Sequence, residues 1–170
     1  MIAARDVQIE RLAPEDADAI SVLAREIWLA HYPGIVPVPQ IEYMLAQRYE
    51  PAVIRAELAR DDLWWDRLCV DGVLAGFSSY FVEHGTRRMK LDKLYVHPRI
   101  QRQGHGGRLI ARAAAEARQQ GCDVLMLAVN KHNATAIAAY RKHSFRVADA
   151  VVKDIGGGFV MDDYVMERAV

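Results

Sequence analysis

The sequence predicts an α/β fold: a mixed sheet of about seven strands flanked by helices, in a single domain over residues 1–170. Three observations carry that expectation. Segments of helical period open the chain, and segments of period two fill its middle and its end. Between two later helical patterns lies "CDVLMLAVN", a continuous apolar run of the kind that is covered on both faces of a sheet.

Taken in order, "VQIERLAP" alternates at Val7, Ile9 and Arg11 and stops at a proline, which reads as a short first strand. Pro14 followed by Glu15 and Asp16 opens a helix, because acids are stabilised at the positive end of the helix dipole. Ala19, Ile20, Leu23, Ile27 and Ala30 then recur at helical spacing up to His31. "HYPGIVPVPQ" holds three prolines and a glycine and must be an irregular connection. "QIEYMLAQRY", with Ile41, Met44, Leu45 and Arg48 on one stripe, predicts a second helix, and "PAVIRAELAR" a third. "DLWWDRLCVDG" closes on Asp71-Gly72, a strong hairpin turn, and "VLAGFSSYFVE" pairs back. After "HGT" turns the chain again, "RRMKLDKLYVHP" completes an antiparallel meander. Simple alternation puts Leu91, Lys93 and Tyr95 on one face of that strand and Lys90, Asp92, Leu94 and Val96 on the other. Trp64 and Trp65 likewise point to opposite faces. The next helix carries Leu109, Ala113 and Ala117 on one stripe, with Ile110 and Ala114 beside it, and ends at Gly121. "NATAIAAYRKH" predicts a further helix with Asn133 as its N-cap. "FRVADAVVKDI", a "GGG" turn and "FVMDDYVMER" finish as a hairpin.

Composition narrows the function. Lys plus Arg equals Asp plus Glu, 22 each, so no basic excess argues for a nucleic-acid binder. The two cysteines, Cys69 and Cys122, make neither a disulfide framework nor a metal spacing, and the six histidines are scattered, so no metal is expected. "MIAARDVQIE" has no signal-peptide core, and no apolar run approaches the roughly 20 residues that span a bilayer. These features read as a reduced, cytoplasmic protein, monomer or homodimer, acting without nucleic acid or membrane.

The chemistry concentrates in "LYVHPRIQRQGHGGRLI". Gly104, Gly106 and Gly107 fall within four positions, between a strand and a helix start, with Arg99, Arg102 and Arg108 around them. Free N–H groups at a helix N-terminus favour an anion, and forked guanidinium donors reinforce it. Gly107-Arg108-Leu109 does not make a P-loop, and Leu109 stands where a dinucleotide fingerprint needs glycine. Gln101-Arg102-Gln103-Gly104-His105-Gly106 instead resembles the Q/R-x-x-G-x-G/A motif of the GNAT superfamily of N-acetyltransferases. "LMLAVNKHNATAIAAYRKHSF" is similar to that family's following strand, asparagine and helix, so the resemblance spans roughly residues 73 to 147. Two departures stand out: Ser144 where the block usually has glycine, and Lys90 where the family often has an acid.

The resemblance implies the GNAT fold, with central parallel strands at 90–96 and 124–130 that splay apart, and acetyl-CoA as co-substrate in the gap. It places the pyrophosphate on the N–H groups of Gln103, Gly104, His105, Gly106 and Gly107, with Gln101 and Arg102 in the loop. Leu94, Tyr95 and Val96 would hold the pantetheine, and the Leu94 N–H would meet the thioester oxygen. Asn130 would bond the pantetheine amide; Asn133 would do the same or only cap its helix. Tyr140 would be the general acid for the departing thiolate, or an amphipathic tyrosine at a sheet edge. Asp92 and Glu83 are the carboxylates on the central strands able to assist deprotonation of the amine, although a surface ion pair explains Asp92 equally well. Trp28, His31, Tyr32 and Tyr43 line the expected acceptor side, and Asp162 or Asp163 would attract a cationic acceptor unless they are ordinary exposed strand charges. The implied activity is direct acetyl transfer to a primary amine of a small molecule. A protein N-terminus or lysine as acceptor, or an acyl-CoA-binding regulatory module without turnover, stays open.

Overall fold

The chain is described here by a computed structural model over residues 3–170; the first two residues of "MIAARDVQIE" lie outside the described residues. The strands are β1 (Val7–Arg11), β2 (Leu63–Val70), β3 (Val73–Val82), β4 (Arg88–Val96), β5 (Val124–Asn130), β6 (Arg146–Gly156) and β7 (Phe159–Ala169). The helices are α1 (Ala17–His31), α2 (Val38–Tyr49), α3 (Pro51–Leu58), α4 (His105–Gln119) and α5 (Ala134–Lys142). All seven strands form one sheet in the order β1-β2-β3-β4-β5-β7-β6. Neighbours pair antiparallel except β4 and β5, which are parallel and joined by a crossover through α4.

Helices α1, α2 and α3 cover one face, where Ile20, Ile27, Trp28, Ile41 and Tyr49 meet Trp65 and Phe77 of the sheet. On the other face Ile110, Ala113 and Ala117 of α4 and Ile137 of α5 pack on Tyr80, Leu91, Leu125 and Met166. The alanine stripe of α4 lets that helix approach the sheet closely, and all three of its inner alanines are buried. Trp65 is buried beneath the α1–α3 layer, while Trp64 stacks on Tyr80 at 6.0 Å on the α4 side, so the two tryptophans do face opposite ways. No helix among the described residues is long and apolar enough to cross a membrane.

Candidate active site

The parallel pair is short. Arg88 opposes Val124, Met89 opposes Leu125 and Lys90 opposes Met126, and there the pairing stops, although both strands continue for several residues. The cause lies in β4. Ser79 opposes Lys93, but the next residue, Tyr80, opposes Leu91, so Asp92 is an extra residue in a β-bulge. A bulge bends its strand and sharpens its twist, which carries the end of β4 away from β5.

The bulge also corrects the simple alternation. Leu91 packs with Ile110 on the α4 side, as does Leu94, whereas Lys93 and Tyr95 face the α1–α3 layer. Asp92 reaches Arg48 of α2, so it does not share a face with Leu94. The ladder phase shows which backbone groups face the gap. The His97 N–H donates to the Ala75 carbonyl at 2.7 Å, so alternate residues of β4 point toward β3. Leu94 and Val96 therefore turn their N–H and C=O groups into the gap, and the Val96 carbonyl accepts a 3.0 Å bond from Gln101 Nε2.

Beyond Val96 the chain makes a single 3-10 turn at Pro98–Ile100, capped by His97, whose Nδ1 accepts from the Arg99 N–H at 3.1 Å. Arg102 (φ 62°) and Gly104 (φ 83°) then adopt left-handed conformations, and α4 begins at His105. The Arg108 N–H bonds the Gly104 carbonyl at 3.2 Å; the N–H groups of His105, Gly106 and Gly107 precede the first helical bond and have no such partner. Gln101, Arg102, Gln103 and Gly104 are exposed beside them. The three glycines differ in what they serve. A Cβ at Gly104 or Gly106 would meet nothing within 4 Å, but one at Gly107 would meet the His143 ring at 2.6 Å, so a side chain there would displace that ring at the end of α5. His105 is buried with neither ring nitrogen hydrogen-bonded among the described residues; burial, then Arg108 and Arg5, push its pKa down, favouring the neutral ring.

Across the gap Asn130 ends β5. It is buried, its Oδ1 accepts from the His132 N–H at 2.9 Å, and it stands opposite Asp163 of β7. Asn133 caps α5 by accepting from the Ala136 N–H at 3.4 Å, and the same oxygen lies 3.1 Å from His31 Nε2. Tyr140, on the last turn of α5, packs edge-on against Phe145 at 5.7 Å. Its hydroxyl has no hydrogen-bond partner among the described residues; burial, then Tyr32, pushes that phenol well above the ordinary range. Ser144, just after α5, sits at φ 69°, so it adopts the left-handed turn that a glycine would adopt there, at a cost of about 1–2 kcal/mol. At the end of α1 the Tyr32 and Tyr95 hydroxyls meet at 2.9 Å.

The two candidate bases fare differently. Asp92 lies 2.8 Å from Lys93 Nζ, 3.0 Å from Arg48 and 3.8 Å from Lys90. Burial alone would raise this carboxyl, but Arg48, Lys93 and Lys90 together outweigh it and hold it well below the usual carboxylate range. Glu83 is not brought to the gap. Its N–H bonds the Arg88 carbonyl at 2.9 Å, where β4 starts, six residues or about 20 Å along the strand from Leu94. Arg48 and Lys93 are the residues that sequence reasoning passed over. An arginine on the apolar stripe of Ile41, Met44 and Leu45 was the available signal, since a charge on a buried face demands a counter-charge. Lys93 is 2% exposed and lies over the Trp65 ring at 4.9 Å, a cation–π contact that reaches from β4 across β3 to β2 and exists only once the sheet is assembled.

Burial pushes both thiols, Cys69 and Cys122, above their ordinary pKa. The Ser78 and Ser79 hydroxyls are buried without a hydrogen-bonded base. Among the described residues no three His, Cys, Asp or Glu side chains cluster as metal ligands.

Comparison with known proteins agrees with this fold. The sequence model of the Acetyltransferase (GNAT) family matches residues 23–145. The chain is 26% identical over 160 residues to the spermidine N(1)-acetyltransferase of Thermoplasma acidophilum, covering 92% of this chain and 96% of that protein. It is 37% identical over 75 residues to the streptothricin acetyltransferase of Streptomyces lavendulae, covering 44% and 40%. Among solved structures, the PaiA N-acetyltransferase of Thermoplasma acidophilum in complex with coenzyme A superimposes with a TM-score of 0.83 at 24% identity, over 97% of this chain and 99% of that one.

Proposed function

The chain belongs to the GNAT family of acetyltransferases, and on that footing we propose that it carries acetyl from acetyl-CoA to the primary amine of a small molecule by direct attack. The observation that carries this reading is the gap itself: unpaired strand ends with Leu94 and Val96 N–H groups turned inward, running into a helix N-terminus with free N–H groups.

The residues fit acetyl-CoA in polarity and order. The N–H groups of Gln103, Gly104, His105, Gly106 and Gly107, with Arg102 beside them, are suited to the pyrophosphate, because fixed donors and the helix dipole favour negative charge. Neutral His105 packs beneath that turn without adding charge of its own. Leu94, Tyr95 and Val96 offer the pantetheine a free strand edge, and Asn130 Nδ2 offers it a donor from the far side. The Leu94 N–H is suited to the thioester oxygen, where a fixed donor stabilises the negative charge that develops on attack. Tyr140 stays protonated because its surroundings disfavour the phenolate. An alkyl thiolate, with a pKa of about 8.5, is the weaker base, so Tyr140 acts chiefly by donating a hydrogen bond to the departing sulfur.

What supports direct transfer is the nucleophile inventory. Neither cysteine carries the thiolate character that an acyl-enzyme needs, and Cys122 lies at the start of β5, at the end opposite Asn130. What supports a small acceptor is how the acceptor side is bridged. Tyr43 donates to the Ile155 carbonyl at 3.0 Å, Gln40 donates to the Val160 carbonyl at 2.9 Å, and the Tyr43 ring rests on Phe159 at 5.3 Å, so α2 ties down the tip of the β6–β7 hairpin. A polypeptide acceptor requires an open groove on that side. The relatives named for spermidine and streptothricin act on small amines and support the same choice.

The test is steady-state release of free thiol from acetyl-CoA with a panel of primary amines, peptides and proteins. Turnover on small amines with none on peptides is expected. Turnover restricted to peptides or proteins refutes the acceptor class, and tight CoA binding without any turnover makes the chain a binding module.

A further inference from the structure

Asp163 carries a further role. Beyond the last parallel pair, Lys90 with Met126, the end of β4 that carries Leu94 and the end of β5 that carries Asn130 flank the gap, and Asn130 in turn opposes Asp163. Asp163 thus stands one strand away from the gap, beside Asn130. On β7, Met161 packs with the α1–α2 cluster, while Tyr164 and Met166 pack with α5. Alternation therefore points Asp163 to the α1–α2 face, the side on which Tyr32 and Tyr95 meet.

The other carboxylates near the gap are occupied or distant. Asp92 is held by Arg48 and Lys93, Asp162 is paired with Lys131 at 2.5 Å, and Glu83 sits at the other end of β4. Both Asp162 and Asp163 bury an Oδ1 outside any regular hydrogen bond, but Asp162 has the Lys131 ammonium against it, whereas Asp163 has neither a hydrogen-bond donor nor an ion-pair partner among the described residues. The charged groups whose fields reach it are Lys90 of β4, Arg48 of α2, Lys153 of β6 and Asp162, its neighbour on β7, and its own charge reaches Tyr32, just after α1. Burial, with Asp162 adding to it, raises this carboxyl against the pull of Lys90, Arg48 and Lys153. A buried carboxylate oxygen without a donor is costly, and a cationic ligand relieves that cost.

We propose that Asp163 receives the acceptor's ammonium and takes its proton. This rests on the small-amine reading. The docked ammonium gives one proton to Asp163, and the freed lone pair forms the C–N bond at the thioester carbonyl. The C–S electron pair leaves on sulfur, and the second nitrogen proton, lost as the amide forms, balances the thiolate.

The experiment compares Asp163→Asn, Asp162→Asn and the unaltered chain on primary amines that span a range of basicity. Asp163→Asn should lower kcat/KM by roughly a hundredfold or more for strongly basic alkyl amines, which arrive protonated. The loss should shrink severalfold for weakly basic amines that arrive neutral, while KM for acetyl-CoA stays unchanged and Asp162→Asn, which removes a neighbouring like charge but not the proposed base, shows no comparable dependence on amine basicity. A loss equal for all amines makes Asp163 merely structural, and no loss overturns the assignment outright. If the unaltered chain acetylates no amine, the underlying reading fails first and this one with it. Should Asp163→Asn not fold, the carboxyl 13C signal of Asp163 in the unaltered CoA-bound protein must shift when a basic amine is added; an unmoved signal overturns the proposal.

Discussion

Gly104 offers the sharpest test of the glycine turn. It sits at φ 83° immediately before α4, and a Cβ there would touch nothing within 4 Å. Replacing it with alanine therefore changes only the backbone preference, without a clash. An L-residue in the left-handed region costs about 1–2 kcal/mol. For a chain of this length that lowers Tm by roughly 2–8 °C, at about 2–4 °C per kcal/mol. If the chain relieves the strain by rotating, the N–H groups that open α4 swing out of line. Losing one charge-assisted bond of about 1.5–3 kcal/mol weakens acetyl-CoA binding by a factor of roughly 10–150. Gly106→Ala is the matched control. Gly106 is helical, also has open space around its Cβ position, and gains helix propensity from alanine. Thermal melts and acetyl-CoA titrations of the two variants make the comparison. Gly104→Ala should lose both stability and affinity, while Gly106→Ala should melt no lower than the parent. Equal melting of the two variants, or full acetyl-CoA affinity in Gly104→Ala, would refute the argument that the left-handed turn aims the anion site.

Tyr140→Phe should cut kcat by about ten- to a hundredfold with little change in KM for acetyl-CoA, since the lost hydrogen bond matters as the sulfur departs; steady-state kinetics decide it. Asp92→Asn leaves Lys93 and Arg48 short of a counter-charge and should cost about 3 kcal/mol, read as a lower Tm. The folded-state pKa of Asp92 is depressed, so its stabilisation is fully present above the unfolded value of about 3.9 and is lost as pH falls below it. The Tm gap between parent and variant should therefore persist at neutral pH and close in acid; a gap that widens in acid contradicts the assignment. Tyr43→Ala removes the tether between α2 and the Ile155 carbonyl, and should raise KM for small amines while admitting bulkier acceptors, as an acceptor-size series would reveal.

The pattern of elements was legible in the sequence because its causes are local. Asp71-Gly72, the Asn133 cap, the alanine stripe of α4 and the apolar run of β5 each encode their conformation within a few residues. The glycine turn was legible too, since a left-handed residue before a helix needs glycine, and Gly104 is where that requirement falls. Local signals did not reveal that Gly107 lies against a ring, because His143 reaches it only after α5 folds back beside α4. Nor did they reveal the bulge at Asp92. Alternation assumes one partner residue for each residue, and only the pairing of β3 with β4 decides where an extra one is accommodated. That single shift moved Asp92 to the face of Arg48 and parted β4 from β5. In the sequence Asp163 is one of two adjacent carboxylates that either attract a cationic acceptor or are ordinary strand charges, and nothing local chooses between them. Its place opposite Asn130, one strand from the gap, is a product of register between strands distant in sequence, and long-range pairing of that kind is set by the assembled core.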